Sequence, residues 1–187
     1  MVRVLCALAC LQLAGCVFSP VPITAGGARQ TDEKLLGTWT VTIEDEPEVV
    51  TISRDPADPS GDFLVELPYT EGDARKIWRH RAIIAHLAGK HYASLYEIDP
   101  ERPATPERRF FLTRYEFSGR DKFLLHAPSD WIEQAFEDKL IAGRVIPDRH
   151  LSSVQLGANS DELRAFMKAR GEKFFFSQEP LVFERVK

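Results

Sequence analysis

The chain has 187 residues, a formal net charge of −4 and 28% charged residues. A chain of this length normally forms one domain and buries about 70% of its unfolded surface. The mild acidity argues against a nucleic-acid-binding protein, because such domains usually carry net positive charge. All three cysteines lie within the first sixteen residues, so the rest of the chain cannot form an intramolecular disulfide.

Residues 1–15 have the layout of a secretory signal peptide, with a positive charge at Arg3, an apolar run over residues 4–14 and a small-residue exit. The apolar run is too short for a transmembrane helix, which needs about 20 apolar residues. We therefore expect Cys6 and Cys10 to be apolar residues of a segment that is removed.

The next feature is the sequence LAGC at residues 13–16, which resembles the lipobox of bacterial lipoproteins. The resemblance implies that Cys16 is lipidated, becomes the mature N-terminus and anchors the protein in a membrane. Val17 stands where an aspartate typically marks inner-membrane retention, which implies an outer-membrane location facing the periplasm of a bacterial cell envelope. The alternative is an ordinary secreted protein that is cleaved nearby and keeps a free thiol.

After the lipobox, residues 16–33 are rich in Pro, Gly and small polar residues, which predicts a lipidated N-terminus followed by a flexible tether. The folded domain is predicted over residues 34–187. Its first strand is indicated by Trp39, Val41 and Ile43, which alternate with threonines. Further strands are predicted over 49–53, 63–67, 77–87, 91–98, 110–117, 122–126, 154–156 and 181–186.

Two helices are predicted in the C-terminal third. Ser129 and Asp130 are suited to cap the first helix. Asn159 and Glu162 have the spacing of a capping box for the second, and Gly171 is predicted to end it. Short strands at close spacing favour a mainly β fold, an antiparallel up-and-down β-barrel of about eight strands with two α-helices near the C-terminus.

The stretch from Leu35 to Trp39 resembles the Gly-x-Trp opening of the lipocalin and wider calycin superfamily. The resemblance implies that Trp39 lies in the first barrel strand. It also implies that an arginine of the last strand, here Arg185, packs over the indole and closes one barrel end as a structural pair. Two helices before the final strand depart from the family's single helix after it, so the predicted domain is lipocalin-like.

A barrel interior predicts a set of lining residues. The even-numbered face of strand 77–87 is expected to point inward, because the odd-numbered face carries Arg79 and Arg81. If the barrel keeps a cavity, the aromatic and apolar candidates to line it are Trp78, Ile84, Tyr92, Tyr96, Phe110 and Phe111. Barrel interiors are as often packed solid as hollow.

Arginines concentrate on two of the predicted strands. If those strands are neighbours, Arg79, Arg81, Arg109 and Arg114 form a basic patch that can bind a carboxylate or phosphate. The alternative is a solvated outer face whose arginines pair with local acids.

No catalytic, metal or cofactor site is predicted. His126, Ser129 and Asp130 are close in sequence, but a helix cap explains the last two. His86 and His91 can face each other across the turn at residues 89–90. Two histidines without a nearby carboxylate or thiolate make an incomplete zinc site.

The resemblances to the lipobox and to the lipocalins imply a non-enzymatic, lipid-anchored, monomeric envelope lipoprotein that binds a small apolar or amphipathic ligand in its barrel. A protein-binding envelope module is the alternative, since some small bacterial protease inhibitors have a similar barrel with a Gly-x-Trp opening. A hydrolase is the third possibility.

Overall fold

A computed structural model describes residues 17–23, 30–43, 45–56, 62–71, 74–98, 109–129, 131–146, 153–175 and 179–187. The predictions for the signal peptide, for the lipobox with Cys16 and for Asp130 fall outside these residues. Among the described residues, no helix is long and apolar enough to cross a membrane.

The described chain contains eleven strands, two α-helices and one 3-10 turn. The helices are α1 (Trp131–Glu137) and α2 (Ser160–Phe174), and the 3-10 turn is Glu33–Leu35. The strands are β1 (Val17–Ser19), β2 (Gly37–Ile43), β3 (Glu46–Arg54), β4 (Phe63–Glu71), β5 (Ala74–Leu87), β6 (Lys90–Glu97), β7 (Phe110–Phe117), β8 (Lys122–His126), β9 (Gly143–Ile146), β10 (Ser153–Leu156) and β11 (Leu181–Arg185).

Eight of these strands close into an antiparallel barrel, which confirms the predicted fold class. The order is β2, β3, β4, β5, β6, β7, β8 and β11, and β11 pairs back onto β2. Pairing of β6 with β7 completes the ring. Closure gives the edge strands partners, which removes the exposed edges of an open sheet.

The barrel interior follows the alternation of each strand. Trp39, Val41 and Ile43 point inward as predicted, and Ala82 and Ile84 share this inner core. The even-numbered face of β5 is therefore the interior face, as its sequence indicates.

A second core lies outside the barrel, and the sequence patterns do not predict it. The odd-numbered apolar residues at the end of β5 pack there with α1, α2, β1 and β10. Leu163 and Phe174 of α2 are fully buried in this outer core. Gly171 does not end α2, because the helix continues to Phe174. A Cβ at Gly171 would lie 2.7 Å from the Tyr92 hydroxyl, so close packing explains this glycine.

The capping box of α2 is confirmed, since the Asn159 side chain accepts hydrogen bonds from the N–H groups of Asp161 and Glu162. The Glu162 carboxylate in turn accepts from the Asn159 N–H. Both helices lie between β8 and β11, the predicted departure from the lipocalin arrangement.

The predicted flexible tether is wrong for the described part of residues 16–33. Val17–Ser19 forms β1, which pairs antiparallel with β7 and parallel with β10. Val17 and Ile23 are buried, and the Ile23 N–H donates to Ser94 Oγ. β8 pairs with β7 only from Arg114 onward, so the backbone N–H and C=O groups at the start of β7 are available to pair with β1.

Candidate functional site

The barrel interior contains a cavity of about 140 Å³ that is partly open to solvent. Its walls come from the inward faces of β2 to β8 and β11, together with Leu35 of the 3-10 turn. The lining side chains are apolar except for His80, Thr113 and Tyr115. The cavity is thus suited to an apolar occupant.

The three polar side chains of the cavity differ in their hydrogen bonding. Thr113 donates to the Ala93 carbonyl, and the Tyr115 hydroxyl donates to Asp32. No hydrogen bond joins the His80 ring to another described residue, and the ring lies edge-on to Phe111. Burial lowers the pKa of His80 from 6.5 to about 4, so the imidazole is neutral at physiological pH. His80 is the polar group of the cavity that is left for a ligand.

One end of the barrel is closed by the predicted pair. The Arg185 guanidinium lies 4.2 Å from the centre of the Trp39 ring, which confirms the contact. It also donates hydrogen bonds of 2.8 and 2.7 Å to the carbonyls of Leu36 and Lys34. Trp39 Nε1 donates to the Leu35 carbonyl at 2.7 Å. The strand, the 3-10 turn and the last strand are therefore joined at this end, called the closed end below.

The glycine of the Gly-x-Trp sequence has a direct role in this closure. Gly37 has a φ of +134°, a conformation that favours glycine. A Cβ there would lie 2.4 Å from Arg185 Nη1. Any larger residue would displace the guanidinium from its place beside the indole.

Only part of the predicted lining set reaches the cavity. Ile84 lines it, and so does Phe111. Tyr92, Tyr96 and Phe110 point outward into the outer core. Trp78 stacks on Tyr69 at 4.4 Å in the β4–β5 hairpin and does not line the cavity.

The error for the tyrosines has a simple cause in the register. His86 pairs with His91 across the turn, so even-numbered residues of β5 share a face with odd-numbered residues of β6. The interior residues of β6 are consequently Ala93 and Leu95. Applying the register of a two-residue turn to the sequence would have placed Tyr92 and Tyr96 on the outer face and corrected this prediction.

The four arginines do not form one patch. Arg79 pairs with Glu66 at 2.9 Å, and Arg81 pairs with Asp55 at 2.6 Å. Arg109 lies over the ring of Phe18. On β6, Arg114 pairs in register with Tyr92, and Arg81 pairs with Tyr96. Because Tyr92 and Tyr96 are four residues apart along the strand, Arg114 and Arg81 are separated by about 13 Å. The predicted anion patch is therefore not assembled.

The residues near the start of α1 also have separate partners. Ser129 is buried, and its hydroxyl donates to the Lys173 carbonyl at the end of α2. The His126 ring is 3.3 Å from the Glu116 carboxylate. Ser129 and His126 are thus engaged in different contacts.

A cluster of metal-binding side chain types lies at the closed end. His86 and His91 have ring centroids 4.3 Å apart. Asp32, which precedes the 3-10 turn, offers a carboxylate oxygen next to them. The two histidines are recognisable in the sequence, but Asp32 is not, because it lies in residues 16–33, whose composition predicts a tether.

The chain matches no protein family, no curated protein and no solved structure. The eight-stranded antiparallel barrel is consistent with a lipocalin-like fold. That description rests on the barrel and on the contact of Arg185 with Trp39.

Proposed function

We propose that this protein is a non-enzymatic, lipid-anchored envelope protein that binds a small apolar or amphipathic molecule inside its barrel. The observation that carries the proposal is the cavity in the barrel interior, whose walls are almost entirely apolar. An apolar molecule gains free energy by leaving water for such a surface, at about 25 cal/mol for each Å² buried.

The volume of the cavity defines the size of the ligand. At about 140 Å³ it is close to an engineered apolar cavity of about 150 Å³ that binds benzene. Pockets for drug-sized ligands are larger, roughly 300–1,000 Å³. The ligand is therefore a compact apolar molecule or the apolar end of a longer one.

The presence of His80 in the cavity favours an amphipathic ligand that carries one polar group. Its neutral imidazole has one hydrogen-bond donor and one acceptor, and neither is used by a described residue. A hydroxyl or a protonated carboxyl group can pair with it without bringing a charge into the apolar cavity. We expect the polar group to lie at His80 and the apolar part to extend toward the closed end.

The structure supports a close position of the barrel at the membrane, given lipidation of Cys16. Consecutive Cα atoms are about 3.8 Å apart, and Val17 is already buried in β1. The lipid would emerge directly beside the barrel wall. In this proposal the barrel rests against the membrane surface, in a bacterial envelope and facing the periplasm.

The anchoring proposal is tested by substitution of the cysteines one at a time. Cys16→Ser should move the protein from the membrane fraction to the soluble fraction and abolish labelling with palmitate. Cys6→Ser is the matched control and should leave both unchanged. Membrane association of Cys16→Ser would contradict the proposal.

Ligand binding is tested by titration with benzene, a probe of the expected size, followed by NMR. Ala82→Leu adds volume to the cavity wall and should abolish binding. Ala165→Leu makes the same change on the exposed face of α2 and should bind benzene normally. Equal binding by the two variants, or no binding by the unaltered protein, would contradict the proposal.

A second candidate is a protein-binding module, and the β4–β5 hairpin is the feature that favours it. Among the described residues, the hairpin extends past the paired parts of its neighbours, since β3 pairs with β4 only through Glu66 and β6 pairs with β5 only from His80. It carries the Tyr69–Trp78 stack and Ile77, which is 47% exposed. Loss of a co-purified protein partner in Ile77→Ser, with benzene binding unchanged, would favour this function.

A further inference from the structure

Three side chains with metal-binding atoms meet at the closed end of the barrel. His86 and His91 are register partners on either side of the β5–β6 turn. Asp32 Oδ2 lies 3.4 Å from His91 Nδ1, and one ligand atom from each of the three side chains lies within 4.8 Å of the other two. Ligand atoms of a tetrahedral zinc ion are about 3.4 Å apart, given bonds of about 2.0–2.1 Å. Asp32 and His91 already have this spacing.

The remaining ligand needs only a small movement. Because the atoms lie within 4.8 Å, His86 must approach by at most roughly 1.4 Å to reach tetrahedral spacing. His86 is exposed at the end of the hairpin, where a change of rotamer meets little resistance.

Two polar groups of the cluster are buried and lie next to each other. The His91 Nδ1 atom is buried and forms no hydrogen bond within the described part of the chain. The Asp32 side chain is only 10% exposed. It accepts hydrogen bonds from the Lys34 N–H and the Tyr115 hydroxyl, but no described lysine or arginine forms an ion pair with it. Buried charges in proteins are normally paired or bound to metals, because an isolated one is costly. A cation between Asp32 and His91 would satisfy both groups.

We infer that Asp32, His86 and His91 form a binding site for a divalent transition-metal ion, with zinc as the best match. Zinc binds imidazole nitrogens and carboxylate oxygens, whereas calcium and magnesium prefer sites made of oxygen alone. Three protein ligands leave a fourth position for water or another small ligand, and the exposed side of His86 opens toward solvent.

Tyr115 contacts one of the proposed metal ligands. Its hydroxyl donates to Asp32 Oδ2 at 3.3 Å. Such a donor fixes the orientation of a ligating carboxylate and so increases metal affinity.

The bound ion would connect two parts of the closed end. Asp32 belongs to the segment before β2, and the histidines belong to the β5–β6 hairpin. Because the unfolded chain does not hold the three ligands together, metal binding should stabilise the folded barrel and raise its melting temperature.

The test is calorimetric titration of the full-length protein with ZnCl₂ after removal of metals with EDTA. All three cysteines are replaced by serine in this protein, so that thiols do not contribute. We expect one zinc ion per chain. His86→Ala, at an exposed position, should fold normally and weaken binding by on the order of 100-fold or more. His126→Gln is the matched control and should bind as before.

Two outcomes of this titration would overturn the inference: no zinc binding by the parent protein, or equal binding by His86→Ala.

Cobalt(II) provides a second measurement, because its visible absorption reports on the ligands directly. Asp32→Asn keeps the size of the side chain but removes its charge, and should alter the cobalt spectrum in protein with unchanged circular dichroism. Tyr115→Phe should weaken binding by about 10-fold. An unchanged cobalt spectrum in Asp32→Asn would exclude Asp32 as a ligand.

Discussion

The inner and outer cores use opposite faces of the same strands and differ in how fully they are packed. The inner core keeps a cavity of about 140 Å³, whereas Leu163 and Phe174 in the outer core are completely buried. Stacked and edge-to-face aromatic rings join Trp131, Phe166, Phe174 and Phe175 in the outer core. This difference predicts that a substitution in the outer core costs more stability than one beside the cavity of the inner core.

The sharpest test of this comparison makes one substitution in each core. Leu163→Ala in the outer core should lower the free energy of unfolding by about 4 kcal/mol, within the range for buried leucines. Leu95→Ala in the inner core should cost about 2 kcal/mol, because Leu95 borders the cavity and loses fewer contacts. Urea unfolding followed by circular dichroism measures both. A cost at Leu95 equal to that at Leu163 would contradict a hollow inner core.

The second prediction concerns His80, whose ring forms no hydrogen bond with another described residue. The pKa of His80 is about 4 in the folded protein and 6.5 when unperturbed, so the unfolded chain binds more protons between these values. Stability should therefore be retained above pH 6.5 and fall by about 3 kcal/mol as the pH decreases to 4. Removal of the imidazole in His80→Leu should eliminate this part of the decline.

The measurement for His80 is the difference between the unfolding free energies of the two proteins at pH 7.5 and at pH 4. Taking the difference cancels the titration of groups common to both, including exposed Glu97 opposite His80 in the register. Parallel curves for the two proteins would show that His80 is not buried in an apolar cavity.

The third and smallest effect is expected at the closed end. Arg185→Lys keeps the charge but loses the planar contact with Trp39 and the paired donation to the Leu36 and Lys34 carbonyls. We expect a loss of about 1–2 kcal/mol in the free energy of unfolding. The control is Arg144→Lys, which removes an exposed pair of hydrogen bonds to Gln155 and should change stability by less than about 0.5 kcal/mol.

Strand alternation and the Gly-x-Trp sequence were sufficient to predict the barrel, its interior face on β5 and the contact between Trp39 and Arg185. They were not sufficient to assign the aromatic residues of β6. An apolar side chain such as Tyr92 is equally compatible with burial inside the barrel and burial under a helix. Which of these occurs depends on the register across the turn and on the tertiary position of α2.

The N-terminal segment was mispredicted for a related reason. Its composition of Pro, Gly and small residues is typical of a tether, but Val17 and Ile23 are buried by contacts with distant strands. Asp32 reaches the two histidines only because this segment folds back over the closed end. Local composition does not report such long-range packing, so neither the packed segment nor the cluster of Asp32, His86 and His91 was predicted from the sequence.

The most direct test of the central claim is native mass spectrometry of the protein purified from its own host. We predict a reproducible small-molecule adduct on the unaltered protein and its absence from Ala82→Leu, whose added side chain occupies the cavity. An unaltered protein that is always free of adducts, or an adduct that persists in Ala82→Leu, would contradict binding inside the barrel.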